Sequence, residues 1–382
     1  MRMKMLKFMD MLNEKRGGFM TEILREDMEI LSNSNLPFHQ YRNSTFLITG
    51  STGLIGSLLI KNLLFCNKKF SLNLKIIAVI RNEKKAKNIF KEYLTDAALT
   101  FYHADLRTDE LNITCSLDYI IHAAAITSSK KIVENPVDTI QTELHGLESI
   151  FKLALKNKVK CVEYISSMEV YGSINQKDKV EETQLGQIDL SNVRSCYPES
   201  KRMCECMCKA YASQYGVHIV SARLAQTFGA GILQKENRVF AQFARSVINN
   251  RNIILHTEGK SEGNYVYTRD AVKGILMLLV NGHSGEVYNI TNEDNHMTIR
   301  EMAETVALKI ADGKISVKTD IEKSKEQLGY APDVKLFLSA EKIKKIGWNA
   351  EVSMEDAYRR MISDMVEEEN INEKENCVNG LM

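Results

Sequence analysis

The chain has 382 residues, of which 44% are hydrophobic and 26% charged, proportions typical of a globular protein rather than a disordered or membrane protein. Its 50 Lys and Arg nearly balance 49 Asp and Glu, so no basic excess indicates a nucleic acid as partner. Eight Cys without the spacing of a disulfide framework favour reduced thiols and a cytoplasmic location. No run of residues is long and apolar enough for a membrane span.

Residues 1–43 are predicted to form an N-terminal helical extension. Apolar side chains recur there near helical spacing, at Ile23, Leu24, Met28 and Leu31. The basic, Met-rich start meets polar and charged residues from Asp10 onward, before an apolar stretch typical of a signal peptide develops. We therefore expect a helix that packs on the main domain.

Apolar runs typical of strands alternate with helical patterns across residues 44–224. The predicted strands are 45–49, 74–80, 99–103, 117–121, 161–165 and 217–222, and the longer helices are 137–156 and 198–214. Apolar strands separated by helices indicate a parallel sheet covered on both faces. The sequence thus predicts an α/β fold with a Rossmann-type doubly wound parallel sheet. The alternation of strands and helices becomes irregular in 225–365, which predicts a smaller mixed α/β domain with segments returning to the sheet. Residues 366–382 are predicted to form a polar tail.

The tightest glycine cluster follows the first predicted strand and opens a helix. It comprises Gly50, Ser51, Thr52, Gly53, Leu54, Ile55 and Gly56. The first glycine permits a tight turn, the second lets the backbone approach a pyrophosphate, and the third allows close packing of helix on strand. The free N–H groups of the helix then favour the phosphates. This context predicts a dinucleotide-binding loop.

The residue after the second predicted strand bears on the choice of cofactor. An acidic side chain there would hold the ribose 2′-hydroxyl of NAD, but this chain has Arg81, followed by Asn82. An arginine suits a 2′-phosphate, so the cofactor is NAD or NADP, with NADP favoured by Arg81. The alternative is that Arg81 stacks on the adenine or faces solvent.

A Tyr and a Lys stand four residues apart on a predicted helix, at Tyr197 and Lys201, which places them on one face. An ammonium beside a phenol lowers the phenol pKa, so that Tyr197 can act as a general base. Ser166 and Ser167 end the fifth predicted strand, where ligands gather in open α/β sheets. We therefore expect Ser167 to bind the reacting oxygen.

In these motifs the sequence resembles the NAD-dependent epimerase/dehydratase (nucleotide-sugar) family of the extended short-chain dehydrogenase/reductase superfamily. The resemblance covers roughly 45–360 and rests on TGSTGLIG, HADL, HAAA, SSMEVYG, YPESK, RLAQTFG, GEVYNI and IGW. It implies oxidation of a sugar hydroxyl to a 4-keto intermediate, with Tyr197 taking the proton, and Lys201 lowering its pKa and binding the nicotinamide ribose. It also implies a substrate-binding second domain, a homodimer formed through helices 137–156 and 198–214, and a role in surface polysaccharide synthesis. Further cofactor contacts implied by it are Asp105, Leu106, Ala123 and Ala124.

The residues that follow Ser167 bear on the subclass. Glu169 provides a second acid or base, which favours chemistry at C5 or C6, whereas Met168 stands where dehydratases of the family usually carry an acidic residue. We expect an epimerase or dehydratase. The alternatives are a UDP-glucuronate-type decarboxylase, a 4-keto reductase and, more distantly, an NADP-binding sensor without turnover. Glu169 could also be a structural carboxylate.

The resemblance places three further residues on the substrate, Gln226, Asn237 and Arg238. Several positions depart from the family. Glu143 stands where many members have Asn, and the arginine expected before the YV-D strand is replaced by Gly263 or Asn264. The diphosphate would then be held by Arg238, Lys260 or Arg269. We expect no metal site, because Cys204, Cys206 and Cys208 lie in the Tyr–Lys helix without paired ligand spacing.

Overall fold

Seven strands pair side by side in the order β10–β6–β5–β4–β1–β2–β3, and every neighbouring pair is parallel. They are β1 (Thr45–Thr49), β2 (Lys75–Ile80), β3 (Leu99–His103), β4 (Tyr119–His122), β5 (Cys161–Ser167), β6 (Ile219–Leu224) and β10 (Glu286–Ile290). The computed structural model describes residues 20–174, 176, 178–321 and 334–379. The strand order reverses between β1 and β4, the place where open α/β sheets bind ligands.

Helices connect the strands and cover both faces of the sheet, as the apolar character of the strands requires. They are α1 (Glu22–Ser32), α2 (Leu54–Phe70), α3 (Glu83–Ile89), α4 (Ser129–Glu134), α5 (Pro136–Asn157), α6 (Cys196–Tyr215), α7 (Val239–Ile248), α8 (Thr268–Asn281), α9 (Ile299–Thr305), α10 (Glu341–Lys344) and α11 (Met354–Asn379). The buried apolar side chains form two clusters, one on each face of the sheet. In the described part of the chain, no helix is long and apolar enough to cross a membrane.

A smaller set of strands follows β6. A three-stranded sheet joins β7 (Gln226–Phe228), β9 (Glu262–Tyr267) and β11 (His296–Thr298), and a two-stranded sheet joins β8 (Ile253–Leu255) and β12 (Val317–Thr319). Between these strands, β10 returns to the large sheet beside β6. This architecture confirms the prediction of a Rossmann-type α/β fold.

The N-terminal helix α1 packs against α2, α8 and α11. Leu24, Met28 and Leu31 are buried on its inner face. Asp27 on the same face accepts a hydrogen bond of 2.6 Å from Tyr267 and one of 2.8 Å from Arg360. The first described helix is therefore joined to the end of β9 and to the last helix by both apolar and charged contacts. Helix α11 continues to Asn379, into the segment expected to be a polar tail.

Candidate active site

Three glycines shape the turn between β1 and α2. Gly50 has a φ of +65°, and a Cβ atom there would lie 2.3 Å from the carbonyl oxygen of Ala123. A Cβ atom on Gly56 would lie 2.4 Å from the carbonyl oxygen of Gly50. Gly53 is the N-cap of α2 and provides no side-chain cap, so the first N–H groups of the helix point into the turn without a side-chain acceptor. The arrangement is a narrow, positively polarised cradle.

The other residues of the turn are partly enclosed. The hydroxyl of Ser51 is buried and donates back to the carbonyl oxygen of Ile48 at 2.7 Å, so this side chain supports the turn. Thr52, Leu54 and Ile55 are half-buried beside it. The contribution of Ser51 to a ligand would therefore come from its backbone.

The end of β4 forms the opposite wall. Ala123 and Ala124 are half-buried, and the amide of Ala124 donates to Thr49 Oγ1 at 3.2 Å. His122 precedes them, fully buried, with Nδ1 lying 2.8 Å from the same Thr49 oxygen. Burial first, and the charge of Lys201 second, lower the pKa of His122 to about 3. His122 is thus a neutral residue that joins β1 to β4.

Ser167, Tyr197 and Lys201 meet at the carboxyl end of β5. Ser167 ends the strand, whereas Tyr197 and Lys201 lie in the first two turns of α6. The ammonium of Lys201 lies 5.8 Å from the centre of the Tyr197 ring and donates to the carbonyl oxygen of Ile165 at 2.8 Å. The helix thus places both side chains against the strand end that carries Ser167.

Opposing influences set the proton affinity of Tyr197. Burial raises its pKa to about 12, even though the charge of Lys201 and a hydrogen bond with Ser167 lower it. Glu169 and Glu143 raise it further. The phenol is therefore the resting form at neutral pH, and a base in this site depends on the charge of Lys201.

A buried carboxylate that the sequence analysis did not place in the site contacts Lys201. Glu143 Oε2, from α5, lies 3.0 Å from the Lys201 ammonium, and the Tyr164 hydroxyl donates to the same oxygen at 2.9 Å. Burial acts to lower the pKa of Lys201, but Glu143 and Tyr197 outweigh it and raise this pKa above its usual value. The sequence offered one signal for Glu143, namely that many family members have Asn at this position, but it did not indicate that Lys201 would be its partner.

Glu169 lies in a 3-10 turn directly after β5 and pairs with an arginine that the sequence analysis did not identify. Two hydrogen bonds join its carboxylate to the Arg194 guanidinium, at 2.6 and 2.9 Å. Arg194 lies three residues before Tyr197 and is partly buried, and its buried Nε atom has no hydrogen-bond partner among the described residues. Glu169 is therefore a carboxylate held by a cation beside Tyr197.

The residues expected near the adenosine lie at the ends of β2 and β3. Leu106 is buried, and Asp105 forms an ion pair of 2.7 Å with Arg107. The hydrogen bonds from Arg107 hold the pKa of Asp105 below its usual value. Arg81 is exposed directly after β2, near enough to Asp105 to affect its titration. The Asp105 carboxylate is thus already occupied, while Arg81 projects from the edge of the site.

The residues expected on the substrate side are less closely grouped. Gln226 begins β7 and is half-buried, Asn237 is exposed, and Arg238 pairs with Glu236 at 2.7 Å. Arg238 also lies over the Phe240 ring, 4.8 Å from its centre. Arg238 is thus held by two residues close to it in sequence, Glu236 and Phe240.

Gly263 and Asn264, which stand where the family has an arginine, face the interior of the protein. A Cβ on Gly263 would lie 3.7 Å from the methyl group of Met168, and Asn264 is fully buried, bonded to the backbone of Asn292 and Leu338. These contacts leave no side chain at 263 or 264 to bind a diphosphate.

Of the cations considered for the diphosphate, Arg269 is held elsewhere. It is 10% exposed and pairs with Asp27 of α1 at 3.2 Å. Lys260 forms an ion pair with Glu258. Cys204 and Cys208 are buried, whereas Cys206 is exposed, and among the residues that the structure describes no three His, Cys, Asp or Glu are grouped to hold a metal ion.

Comparison with known proteins identifies the family. The model of the NAD dependent epimerase/dehydratase family matches residues 46–291. The chain belongs to this family. UDP-glucuronic acid decarboxylase 6 of Arabidopsis thaliana is 29% identical over 306 residues, which cover 77% of this chain and 86% of that protein. UDP-glucuronic acid decarboxylase 1 of Xenopus tropicalis is 29% identical over 58% of this chain and 54% of that protein.

Solved structures of family members share the fold. An epimerase from Methanothermobacter thermautotrophicus superposes with a TM-score of 0.72 at 21% identity, over 88% of this chain and 96% of that one. A dTDP-glucose 4,6-dehydratase from Streptomyces venezuelae, solved with NAD bound, gives a TM-score of 0.68 at 22% identity, over 85% of this chain and 97% of that one.

The cradle of this epimerase/dehydratase family member fits a dinucleotide. At Gly50 and Gly56 a side chain would collide with backbone atoms, and the uncapped start of α2 offers N–H groups to a pyrophosphate. Bound there, the nicotinamide would accept and return a hydride. Tyr197, Lys201 and Ser167 lie at the adjacent strand end, where they can exchange a proton with a hydroxyl group and bind its oxygen. The protein is therefore an enzyme of the NAD dependent epimerase/dehydratase family.

Proposed function

We propose that the protein converts a nucleoside diphosphate sugar through a 4-keto intermediate, as an epimerase or dehydratase. The observation that carries this proposal is the convergence of Ser167, Tyr197 and Lys201 on the carboxyl end of β5, next to the glycine cradle. Tyr197 takes the proton of the C4 hydroxyl, Ser167 binds the same oxygen, and the Lys201 ammonium stabilises the phenolate. Glu169 then exchanges a proton at C5.

Decarboxylation is the second candidate, and the Glu169–Arg194 pair favours it. A uronic acid oxidised at C4 is a β-keto acid: the C5–C6 bond breaks, its electron pair moves toward the C4 oxygen, and carbon dioxide leaves. Arg194 supplies a guanidinium suited to the C6 carboxylate, while Met168 offers no acid for the loss of water. Relatives that are 29% identical are UDP-glucuronic acid decarboxylases, which supports this candidate.

Product analysis distinguishes these outcomes. The protein is incubated with UDP-, dTDP-, GDP- and CDP-sugars, including UDP-glucuronic acid, and the products are analysed by mass spectrometry and NMR. An unchanged mass with altered sugar signals indicates epimerisation, loss of one water dehydration, and loss of carbon dioxide decarboxylation. Full activity of Tyr197→Phe on the accepted sugar, or no turnover of any sugar by the wild type, would contradict the proposal.

Arg81 supports NADP as the cofactor. It is exposed directly after β2, where a 2′-phosphate would lie if the dinucleotide follows the family arrangement, and Lys85 lies near it. Quenching of protein fluorescence should give tighter binding of NADPH than of NADH. Arg81→Ala should weaken NADPH binding about tenfold, the loss of one exposed charge-assisted contact, and leave NADH binding unchanged. Equal affinities in the wild type would rule this choice out.

We further propose a homodimer formed through α5 and α6. These neighbouring helices carry several exposed apolar side chains, namely Val137, Ile140, Leu155, Met203 and Tyr215. A second copy would cover them, as in the helix-pair interface that the family resemblance implies. Sedimentation equilibrium should show a dimer at micromolar concentration and a monomer for Met203→Glu. A wild-type protein that sediments only as a monomer would contradict this assembly.

A further inference from the structure

Lys201 contacts a carboxylate that the proposed chemistry does not use. Its ammonium lies 3.0 Å from Glu143 Oε2, and the side chains of Lys201 and Glu143 are 2% and 0% exposed. Two of the three N–H bonds of Lys201 therefore point to fixed acceptors, Glu143 and the carbonyl oxygen of Ile165. The same ammonium lies 4.7 Å from the centre of the Tyr164 ring and 5.8 Å from that of the Tyr197 ring.

Few other charges act on this pair. The titratable side chains that face it from β4, β5 and α6 are His122, Tyr164, Tyr197, Cys204 and Cys208. Burial lowers the pKa of His122 to about 3, raises that of Cys204 to about 12, and raises those of Tyr164 and Cys208 above their usual values. His122, Tyr164, Cys204 and Cys208 are therefore neutral at pH 7. Glu169, from the turn after β5, is already paired with Arg194, from the segment before α6.

We propose that Glu143 is a positioning residue that keeps Lys201 protonated and aims it at Tyr197. A fully buried ammonium without a counter-ion loses the stabilisation of its charge and tends to release its proton. Glu143 prevents this by direct contact, and the Tyr164 hydroxyl fixes the carboxylate in turn. The carboxylate on α5 thereby acts on the phenol through Lys201 without touching a substrate.

The two oxygens of Glu143 differ in their contacts. Oε1 is buried and, among the residues that the structure describes, has no hydrogen-bond partner. Oε2 lies 3.0 Å from the Lys201 ammonium and accepts a hydrogen bond from the Tyr164 hydroxyl. The carboxylate therefore meets the ammonium through the oxygen that a second hydrogen bond holds in place.

The experiment reads the charge of Lys201 by NMR of protein labelled with [13Cε]lysine, with the signal assigned by Lys201→Met. In the wild type this signal should not titrate below about pH 10, as for a lysine stabilised by an opposite charge. In Glu143→Gln it should titrate at least two pH units lower, roughly the effect of a lost charge partner on a buried group. Glu143→Asp, with a shorter arm, should fall between them. The matched control is Glu163→Gln, which removes another fully buried glutamate and should leave the signal unchanged.

An unchanged Lys201 titration in folded Glu143→Gln would overturn the inference and leave Glu143 a packing residue. If that variant does not fold, Glu143→Asn, which removes the same charge with a smaller side chain, decides by the same signal, since a titration equal to that of the wild type contradicts the role. In activity assays, Glu143→Gln should show a loss of kcat at alkaline pH that the wild type lacks. The inference rests on the proposed role of Tyr197 and Lys201, but the NMR titration needs neither cofactor nor sugar, so it can fail or succeed independently of the proposed function.

Discussion

A buried glutamate lies on each face of strand β5, and the two glutamates differ in their partners. On the face covered by α5 and α6, Tyr164 donates to Glu143, which pairs with Lys201. On the other face, Glu163 is fully buried beside Cys161 and Tyr41, and neither of its carboxylate oxygens has a hydrogen-bond partner in the part of the chain that the structure describes. One face of the strand therefore contacts a carboxylate that has a cation as partner, whereas the other face carries a buried carboxyl group without one among the described residues.

This difference shows what determines the protonation state of a buried acid. Burial raises the pKa of Glu163 well above its usual value, and none of the described residues places a cation where it opposes the effect. On the opposite face, the 3.0 Å contact with Lys201 supplies the opposite charge that a buried carboxylate requires. We expect the paired face to govern activity, and the face of Glu163 to govern how stability changes with pH.

The largest effect is expected from Tyr197→Phe, which removes the proposed proton acceptor on the face of β5 that carries the Glu143–Lys201 pair. The kcat for the accepted sugar should fall by about 10³-fold or more, the upper range for loss of a general base. The free energy of unfolding in urea should fall by only about 1 kcal/mol, because the ring stays buried and one hydrogen bond with Ser167 is lost. A matched control is Tyr41→Phe on the opposite face, which should keep kcat. Equal kcat values for the two variants would erase the functional difference between the faces.

Breaking the Glu143–Lys201 pair should have the next largest effect, on stability. Lys201→Met leaves the Glu143 carboxylate buried without its cation, which should cost about 3–5 kcal/mol of unfolding free energy. The double variant Glu143→Gln/Lys201→Met removes both charges and should recover most of that loss. Urea unfolding at pH 7 measures all four members of the cycle. Additive losses from the two substitutions would show that the side chains do not act as a pair.

Much of the large sheet was predictable from the sequence, because its strands are short apolar runs whose helical connections keep a regular rhythm. The glycine turn and the Tyr197–Lys201 spacing were equally local signals. The partners of the site were not predictable in this way. Glu143 and Lys201 lie on different helices, and their contact arises only when α5 and α6 pack side by side on the sheet.

The substrate side shows the same limit. Arg269 was a reasonable candidate for a diphosphate until the fold placed it against Asp27, more than two hundred residues earlier in the chain. Arg194 lies in a polar loop with no local signal, yet it binds Glu169 with two hydrogen bonds. Charged side chains acquire their roles from partners distant in sequence, whereas apolar periodicity is local.

Glu163→Gln should make the stability of the protein less sensitive to a rise in pH above about 4.5. The unfolded chain releases the Glu163 proton near the ordinary pKa of 4.5, whereas burial raises the pKa in the folded state. The stability that the neutral carboxyl supports is therefore complete below about pH 4.5 and is lost as the pH rises toward the folded pKa. Between pH 5 and pH 7 the wild type should therefore lose stability relative to the variant, which has no carboxyl group to titrate at this position.

Urea unfolding at several pH values tests this difference. Glu148→Gln is the matched control, because Glu148 lies on the surface of α5 in an exposed pair with Lys152, and its substitution should leave the pH profile unchanged. Parallel profiles for the wild type and Glu163→Gln would mean that Glu163 does not titrate differently on folding.

The smallest effect separates two buried tyrosines on opposite faces of the sheet. Tyr164 donates to the Glu143 carboxylate, whereas Tyr41 donates to the carbonyl oxygen of Leu276 in α8. Hydrogen bonds to charged groups contribute more than those to neutral ones, so Tyr164→Phe should cost about 2 kcal/mol and Tyr41→Phe about 1 kcal/mol of unfolding free energy. Only Tyr164→Phe should also move the titration of Lys201, since only its hydroxyl fixes the carboxylate that Lys201 contacts. If both variants lose the same stability and leave Lys201 unchanged, the charge of Glu143 does not distinguish the two faces of β5.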